Sequence, residues 1–407
     1  MKAKLIVGGA AAATTAAALL LGGVLTGNGA PEARALPTPT LVARLDRRGN
    51  AFAQRARMTA DVAYYTRAEY VYRRALQLAP RDLPATIGLG ALELSRHKFR
   101  HAFALGRRAV ALSPTTAAGY GVLGDALLEL GRYRSAFATF DKMVGLRPGV
   151  SSYARISYAR ELLGDVAGAA QAMRYAVDAA AGEPQALAWS HMQLGKLYWA
   201  HGDGVAAGRE YREALRIQPG YTYALDALAQ VEAAHGRFAA AIALSRQAAD
   251  VMPFPQFVAN YGDVLRTAGR PAAARRQYAL VEVIGRLERA NHVNVDLELA
   301  LFDIDHGVRL DRTVALARLA HAERPSIDGD DVLAWALARN GRCGEALRFS
   351  ERALRLGTLD APKFFHRGMI ERCLGHGGEA RRWFRRALRL NPHFSLLWAP
   401  VARRYVR

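Results

Sequence analysis

Apolar positions along this chain group into helix-length segments that are separated by short, regularly spaced breaks. The stretch LLELGRYRSAFATF, residues 127–140, reads as the end of one helix, a break at a glycine and the start of a second helix. Similar text returns at 233–245, 266–278 and 372–384. Alanine and leucine are abundant, proline is scarce, and no run of alternating β-branched residues is present. The pattern therefore predicts an all-α protein built from repeated pairs of helices.

The breaks and the small residues follow one period. Glycines that would end the first helix of each unit recur every 33 to 38 residues, at Gly131, Gly164, Gly202, Gly236, Gly269, Gly307, Gly341 and Gly375. Alanines of the second helix keep the same spacing, at Ala68, Ala102, Ala136, Ala207, Ala241, Ala274, Ala346 and Ala380. We expect the glycines to adopt the left-handed conformation that stops a helix. The alanines are expected where two antiparallel helices approach closely.

In this register the sequence resembles a tetratricopeptide repeat (TPR) protein. The matching text includes GYGVLGDALLELGRYRSAFATFDKMVGLRP, SHMQLGKLYWAHGDGVAAGREYREALRIQP and FFHRGMIERCLGHGGEARRWFRRALRLNP. The resemblance implies an all-α TPR solenoid, a right-handed superhelix of about ten helix-turn-helix repeats over residues 49–394. The units at 49–82 and 281–325 depart most from the pattern, and residues 177–187 lengthen one link. Residues 395–407 are predicted to form a C-terminal capping segment.

The N-terminus has a different character from the array. Lys2 and Lys4 precede a long uncharged apolar run, and Ala33-Arg34-Ala35 offers a cleavage site with small residues. Residues 1–35 are therefore predicted to be a secretory signal peptide or a retained N-terminal membrane anchor, and residues 36–48 a linker. On either reading the array is exported: it is secreted or extracytoplasmic, or it is held at the membrane by the uncleaved helix.

Composition and motifs limit the classes of function. The net charge is +20, yet the basic residues are 50 arginines and only 6 lysines, a bias that a GC-rich genome produces by itself. We therefore expect no nucleic-acid partner. No phosphate-binding loop, nucleophile elbow or His-Glu-x-x-His pair is present in the sequence. The chain is predicted to be non-catalytic and to need no cofactor, and its sequence sets no oligomeric state.

The TPR resemblance implies a concave groove that is lined by the first helix of each unit and binds a protein or peptide ligand. Helical wheels place aromatic and hydrogen-bonding residues on that face. The predicted partner-binding residues are Arg155, Tyr158, Trp189, Gln193, Lys196, Trp199, Tyr223, Asp226, Gln230, Asn260, Asp263 and Arg266. A second groove candidate contains Trp335, Phe365, His366 and Met369. The alternative reading is that Trp189 and Trp199 pack between helices.

Three further groups of residues could carry chemistry or cross-links. Histidine and acidic residues between His292 and His306 offer weak metal ligands, chiefly Asp296 and Asp303, but their spacing argues against one shared ion. Asp328, Asp330 and Asp331 are expected to cap the start of a helix. Cys343 and Cys373 fall at the same edge of neighbouring units, so they are a disulfide candidate, the alternative being two small apolar residues in the packing.

The sequence thus predicts an exported, non-catalytic TPR scaffold or adaptor that binds a polypeptide segment in its concave groove, with envelope or membrane association. The alternative is an envelope metal-handling factor, or a metalloprotein maturation factor, that uses the acidic and histidine-rich unit.

Overall fold

The computed structural model describes residues 40–59 and 61–407, and all of the regular structure in these residues is α-helical. The helices form ten antiparallel pairs followed by one short helix. Their bounds are α1 Leu41–Thr59, α2 Ala63–Leu78, α3 Leu83–Ser95, α4 Phe99–Leu112, α5 Ala117–Glu129, α6 Tyr133–Leu146, α7 Val150–Leu162, α8 Val166–Ala179, α9 Pro184–Ala200, α10 Gly204–Ile217, α11 Thr222–Ala234, α12 Phe238–Val251, α13 Pro255–Thr267, α14 Pro271–Ala290, α15 Asp296–His306, α16 Leu310–Glu323, α17 Ile327–Arg339, α18 Cys343–Ala353, α19 Ala361–Cys373, α20 Gly377–Leu390 and α21 Ala399–Val406.

The first pair of helices begins earlier than the sequence predicted. Because α1 starts at Leu41, residues 41–48 belong to the array and not to a linker. The predicted signal peptide or anchor at 1–35 lies outside the described residues, as does the start of the predicted linker. Within residues 40–59 and 61–407, no helix is both long enough and apolar enough to cross a membrane.

The glycines and alanines of the repeat adopt the roles that their spacing predicted. All eight unit-breaking glycines have φ between 67° and 84°, the left-handed region. The eight alanines of the second helices are each no more than 2% exposed. In five units an aromatic ring of the second helix also lies directly over a glycine of the first, the pairs being Gly49 with Tyr72, Gly124 with Phe140, Gly195 with Tyr211, Gly262 with Tyr278, and Gly368 with Phe384. These contacts let the two helices of a unit approach closely.

Where the sequence departs from the repeat pattern, the helices change in length. The extra residues near 177–187 extend α9 at its start, so that α9 has 17 residues where most first helices have 13. The degenerate unit begins with α15, which has only 11 residues, and it follows α14, the second helix of the preceding pair, which has 20. His292 and Arg309, which flank α15, both have positive φ, at 62° and 48°. The degenerate unit therefore keeps its two helices, but its turns differ in position and conformation from those of the other units.

Beyond neighbouring units, the solenoid curls until its second turn touches its first. The Arg324 guanidinium on the second turn donates to the Glu129 carboxylate on the first, 195 residues away in the chain. The backbone N–H of Ile327 donates to the Tyr133 hydroxyl at 2.7 Å. Since the unit is about 34 residues, one superhelical turn contains between five and six units.

This line of contact, which we call the seam, runs along four consecutive units. Its hydrogen bonds join His97 to the Asn294 carbonyl at 2.8 Å, Thr358 Oγ1 to the Leu162 carbonyl at 2.5 Å, and Asn391 Nδ2 to the Trp199 carbonyl at 2.7 Å. Three of the unit-breaking glycines lie against carbonyl oxygens of the next turn: Gly131 against Pro325, Gly164 against Gly357, and Gly202 against Leu390. The seam therefore holds the two turns in direct contact along these four units.

Candidate functional site

A group of polar side chains lies on three neighbouring first helices, the helices that the TPR resemblance assigns to the concave face. Glu161 lies at the end of α7, Gln193 and Lys196 share one face of α9, and Asp226 and Gln230 are one turn apart on α11. We call these five residues the central cluster. Their helices are apolar on most other sides, because α9 and α11 pack between neighbouring helices. The central cluster is therefore held on rigid elements and not on loops.

Three polar atoms of the central cluster are buried without a hydrogen-bond partner among the described residues. They are Gln193 Oε1, Asp226 Oδ1 and Gln230 Nε2. Gln193 and Asp226 are each 5% exposed. Since a buried polar group that lacks a hydrogen bond costs about 1–3 kcal/mol, three such atoms on adjacent helices are unusual in a folded protein. The donor and acceptor capacity of these three atoms is therefore not used by the described residues.

Opposite charges meet in the same cluster. Lys196 lies within electrostatic range of both Glu161 and Asp226. Burial raises the pKa of Glu161 to about 7, and the positive charge of Lys196 opposes that rise. Burial raises the pKa of Asp226 to about 7 as well, against the hydrogen bond that its Oδ2 accepts from Asn260 Nδ2 at 2.8 Å. Burial also lowers the pKa of Lys196. The cluster thus holds two carboxyl groups that titrate near neutral pH beside one ammonium.

A small cavity adjoins the cluster between α7, α8 and α9. Tyr158, Glu161 and Gln193 contribute to its wall, and its volume is about 20 Å³. That volume is enough for about one water molecule. A larger ligand would therefore lie over the central cluster and would not enter the cavity.

Several predicted groove residues have structural roles instead. Arg155 is 1% exposed and forms two parallel bonds to Asp125, at 2.9 Å and 2.6 Å, that tie α7 to α5. It is therefore not a groove residue open to a ligand. Trp189 and Tyr158 belong to the same buried hydrophobic cluster, which favours the packing reading for Trp189. Trp199 is partly exposed and lies at the seam, where its carbonyl binds Asn391.

The remaining predicted residues continue the polar face toward α15. Asp263 Oδ1 accepts from the Tyr278 hydroxyl at 2.7 Å and lies 2.8 Å from His306 Nε2. Hydrogen bonding and charge from Asp263 raise the pKa of His306 despite its burial. Tyr223 packs edge-on against Phe257, with ring centroids 5.2 Å apart. Arg266 is exposed. The structure therefore brings Asn260 next to Asp226 and leaves Arg266 at the margin.

The second groove candidate is covered by the chain's own C-terminal segment. Trp335 and Phe365 are fully buried, and Trp398 packs on both, with ring centroids 5.6 Å and 5.5 Å away. The indole N–H groups of Trp335 and Trp398 both donate to Asp305 Oδ1, at 2.8 Å and 2.9 Å. His366 stacks on Trp335, and Met369 is partly buried beside the same cluster. Residues 395–407 thus act as a cap that fills this part of the concave face, so Trp335 and Phe365 are not open anchors.

The acidic residues of the degenerate unit are engaged with arginines. Asp303 accepts from Arg309 at 2.9 Å, and Asp296 lies 3.8 Å from Arg289. Among the described residues, no group of three or more His, Cys, Asp or Glu side chains is placed to hold a metal ion. The metal-handling alternative therefore has no structural support in this part of the chain.

The aspartates at the start of α17 make ion pairs and do not cap the helix as predicted. Ser326 Oγ accepts the capping bond from the Gly329 N–H at 3.3 Å. Asp328 accepts from Lys363 Nζ at 2.7 Å, and Asp331 lies 2.9 Å from His366 Nδ1. These contacts join α17 to α19, because the carboxylates point along the concave face toward the next unit.

The structure joins Cys343 and Cys373 in a disulfide between α18 and α19, with the two Cα atoms 6.0 Å apart. That separation lies in the usual range for a disulfide. The bond closes a loop with a sequence separation of 30 residues, and it staples the last two repeat units together.

We expect removal of this disulfide to loosen the C-terminal units. The double variant Cys343→Ser/Cys373→Ser should lose about 3–4 kcal/mol of unfolding free energy, from the chain entropy that the closed loop withholds from the unfolded state. Urea denaturation of both proteins, with and without a reducing agent, measures this loss. The reducing agent should destabilise the wild type alone, and a wild type that is insensitive to reduction would show that the bond is absent in solution.

Comparison with known proteins supports the repeat assignment. Residues 117–149, which span α5 and α6, match the tetratricopeptide repeat family. The other pairs have the same two-helix form, and seven more of them carry the left-handed glycine between their helices. The fold is an all-α TPR solenoid. No curated protein matches the chain in a sequence comparison.

Solved structures with similar folds are distant in sequence. A thermophilic TPR protein from Thermus thermophilus is 20% identical, with 49% of this chain and 99% of that chain covered and a TM-score of 0.40. The Cut9–Hcn1 hetero-tetramer of the APC/C is 12% identical, with 89% and 67% covered and a TM-score of 0.46. The TPR domain of P58(IPK) is 14% identical, with 90% and 98% covered and a TM-score of 0.26.

Sequence reasoning missed Glu161, although a signal for it was present. Glu161 lies three residues after Tyr158, so it shares the helix face on which Tyr158 was placed. A carboxylate there lies within electrostatic range of Lys196 on the next first helix. The seam itself left no comparable signal in the sequence, because its hydrogen-bonded partners are 192 to 197 residues apart.

Proposed function

We propose that this TPR solenoid is a non-catalytic interaction scaffold that binds a polypeptide segment over its central cluster. The observation that carries the proposal is the set of unpartnered buried atoms, Gln193 Oε1, Asp226 Oδ1 and Gln230 Nε2. A polypeptide backbone supplies N–H donors for the two oxygens and carbonyl acceptors for the amide nitrogen. An extended segment that crosses α9 and α11 would offer both kinds of group in alternation.

The charges of the cluster favour a segment that carries lysine or arginine. Glu161 and Asp226 together outnumber Lys196, although the protein as a whole has a net charge of +20. A cationic side chain between the two carboxylates would hold both of them in the ionised form. Complementary charge of this kind contributes mainly to the choice of partner and to the rate of association.

An extracytoplasmic location is part of the same proposal. It rests on the apolar N-terminal run after Lys2 and Lys4 and is consistent with a disulfide between Cys343 and Cys373, since such bonds persist in oxidising compartments. Analysis of the N-terminus of the protein recovered from its native cells would separate a cleaved signal peptide from a retained anchor. Recovery in the cytoplasmic fraction alone would overturn this part of the proposal.

The binding site is tested by a pair of variants within one repeat unit. Asp226→Asn/Gln230→Met changes the central cluster, and Asp250→Asn/Gln247→Met makes the same chemical changes on the exposed face of α12. Short peptides of random sequence, sorted by net charge, serve as the probe. We expect cationic peptides to bind the wild type and the α12 variant, and to bind the cluster variant at least about tenfold more weakly, equivalent to about 1.4 kcal/mol.

The pH dependence gives a second readout of the same site. Because burial raises the pKa of both Glu161 and Asp226 to about 7, a cationic ligand must displace their protons in acid. Binding should therefore tighten as the pH rises through about 7. The other charged groups around Glu161 are Lys196, Asp328, Asp360 and Lys363, and those around Asp226 are Lys196 and Asp263. Equal binding by the two variants, or a preference for anionic peptides, would contradict the proposed site.

A further inference from the structure

The second helix of the last repeat unit, α20, has an outer surface that is rich in arginine. α20 presents five arginines, Arg381, Arg382, Arg385, Arg386 and Arg389, and all five are exposed. We call them the arginine face. The segment 377–407 contains three more arginines, on and after α21, and its acidic side chains are limited to Glu379. Positive charge is therefore concentrated at the C-terminal end of the solenoid.

This face lacks the ion pairs that α10, the second helix of an earlier unit, has. In the part of the chain that the structure describes, Glu379 forms the ion pair of this face, and its partner is Arg382. On α10, by contrast, Arg216 pairs with Glu213 and Arg212 pairs with Glu232. Arg381, Arg385 and Arg389 follow each other at four-residue spacing, which places like charges side by side on the helix. Like charges at this spacing destabilise a helix, so an anionic partner would relieve the repulsion.

The apolar surroundings indicate what kind of partner fits. None of the large hydrophobic side chains that are exposed in the described residues lies between 377 and 407. Trp383 is partly buried, with the guanidinium groups of Arg367 and Arg386 5.5 Å and 5.2 Å from its ring centroid. A protein interface is usually centred on buried aromatic or apolar anchors, and single-stranded nucleic acid stacks on exposed rings. A surface that offers charge alone, on a convex helix, satisfies neither requirement.

We propose that the arginine face docks the solenoid onto the surface of an anionic lipid bilayer. A bilayer presents a dense, flat layer of phosphate groups, so binding to it needs positive charge but no shaped pocket. Basic residues near such a surface each contribute favourably, within about one Debye length of the headgroups. The docking is peripheral, since the face offers no apolar side chain for insertion. It leaves the concave central cluster free, because α20 is a second helix on the outer side of the array.

The test compares two full-length variants that lose the same charge at different places. Arg381→Gln/Arg385→Gln/Arg389→Gln removes the row along α20. Arg246→Gln/Arg275→Gln/Arg276→Gln removes three exposed arginines from α12 and α14. Sedimentation with vesicles of phosphatidylglycerol and phosphatidylcholine in equal parts is compared with vesicles of phosphatidylcholine alone. The difference between the two vesicles isolates binding to anionic lipid from any binding through the N-terminal segment.

We expect the α20 variant to lose roughly 100-fold in partitioning to the anionic vesicles, from about fivefold per arginine. The control variant should lose much less, and high salt should abolish the difference between the two. Equal losses in both variants would show that net charge alone attracts the protein to lipid, and would overturn the proposal. Duplex DNA, measured at the same salt concentration, is the competing anion. Tighter binding to DNA than to the vesicles, lost in the same α20 variant, would also overturn it.

Discussion

An alanine at Gly131 is expected to destabilise the solenoid more than an alanine at Gly236, although the two glycines occupy the same place in their units. Both have left-handed backbones, with φ of 71° and 75°, so each substitution costs about 1–2 kcal/mol of backbone strain. A Cβ at Gly131 would in addition overlap the Pro325 carbonyl oxygen of the next turn, whereas a Cβ at Gly236 meets nothing within 4 Å. Overpacking of this kind costs about 1–3 kcal/mol more.

Urea denaturation of Gly131→Ala and Gly236→Ala measures this difference directly, because the backbone strain is common to both variants. Gly164→Ala should behave like Gly131→Ala, since a Cβ there lies against the Gly357 carbonyl oxygen. If all three variants lose the same free energy of unfolding, the turns of the superhelix do not touch in solution.

Replacing Arg324 by methionine is expected to have the largest effect of any single charge removal. Arg324 is 4% exposed and donates to Glu129, which is 3% exposed, and to Glu298 at 3.2 Å. Removal of one partner leaves buried carboxylates without their counter-charge, which costs about 3–5 kcal/mol in comparable pairs. The loss should appear as a lower midpoint of urea denaturation.

The matched control for Arg324→Met is Arg318→Met on α16, the helix that ends directly before Arg324. Arg318 bonds Glu345 at 3.1 Å, with half of its own side chain in solvent, and an exposed pair of this kind contributes at most about 1 kcal/mol. The two variants remove the same side chain from neighbouring positions, so they differ mainly in burial and in the seam. If both variants lose a similar free energy of unfolding, the buried Glu129 contact stabilises the fold no more than the exposed pair does.

The repeat architecture could be predicted from the sequence because its causes are local. A left-handed glycine, a close-packed alanine and a helix-ending proline act within one unit. Repetition then multiplies a weak signal, as the confirmed conformations of Gly131 and Gly164 illustrate. The start of the array was misplaced for a related reason: the first pair lacks the mid-unit glycine, so α1 carried no periodic marker before residue 49.

The site could be predicted only in part, because burial depends on long-range curvature. The helical wheel grouped Gln193, Lys196 and Asp226, and in the structure Lys196 lies within electrostatic range of Asp226. Arg155 does not serve the groove, since the wheel could not reveal its pairing with Asp125 in the previous unit. Trp335 shows the same limit, because Trp398 covers it only after the chain has folded back at its C-terminal end.

The seam is the feature on which the account of the concave face depends, and a double-mutant cycle between Glu129 and Arg324 tests it most directly. Urea denaturation of wild type, Glu129→Gln, Arg324→Met and the double variant gives the coupling energy between two residues that are 195 positions apart. We predict a coupling of about 1.5–3 kcal/mol, in the range of contacting buried partners. A coupling close to zero would contradict the account, because it would mean that the two turns of the solenoid do not meet.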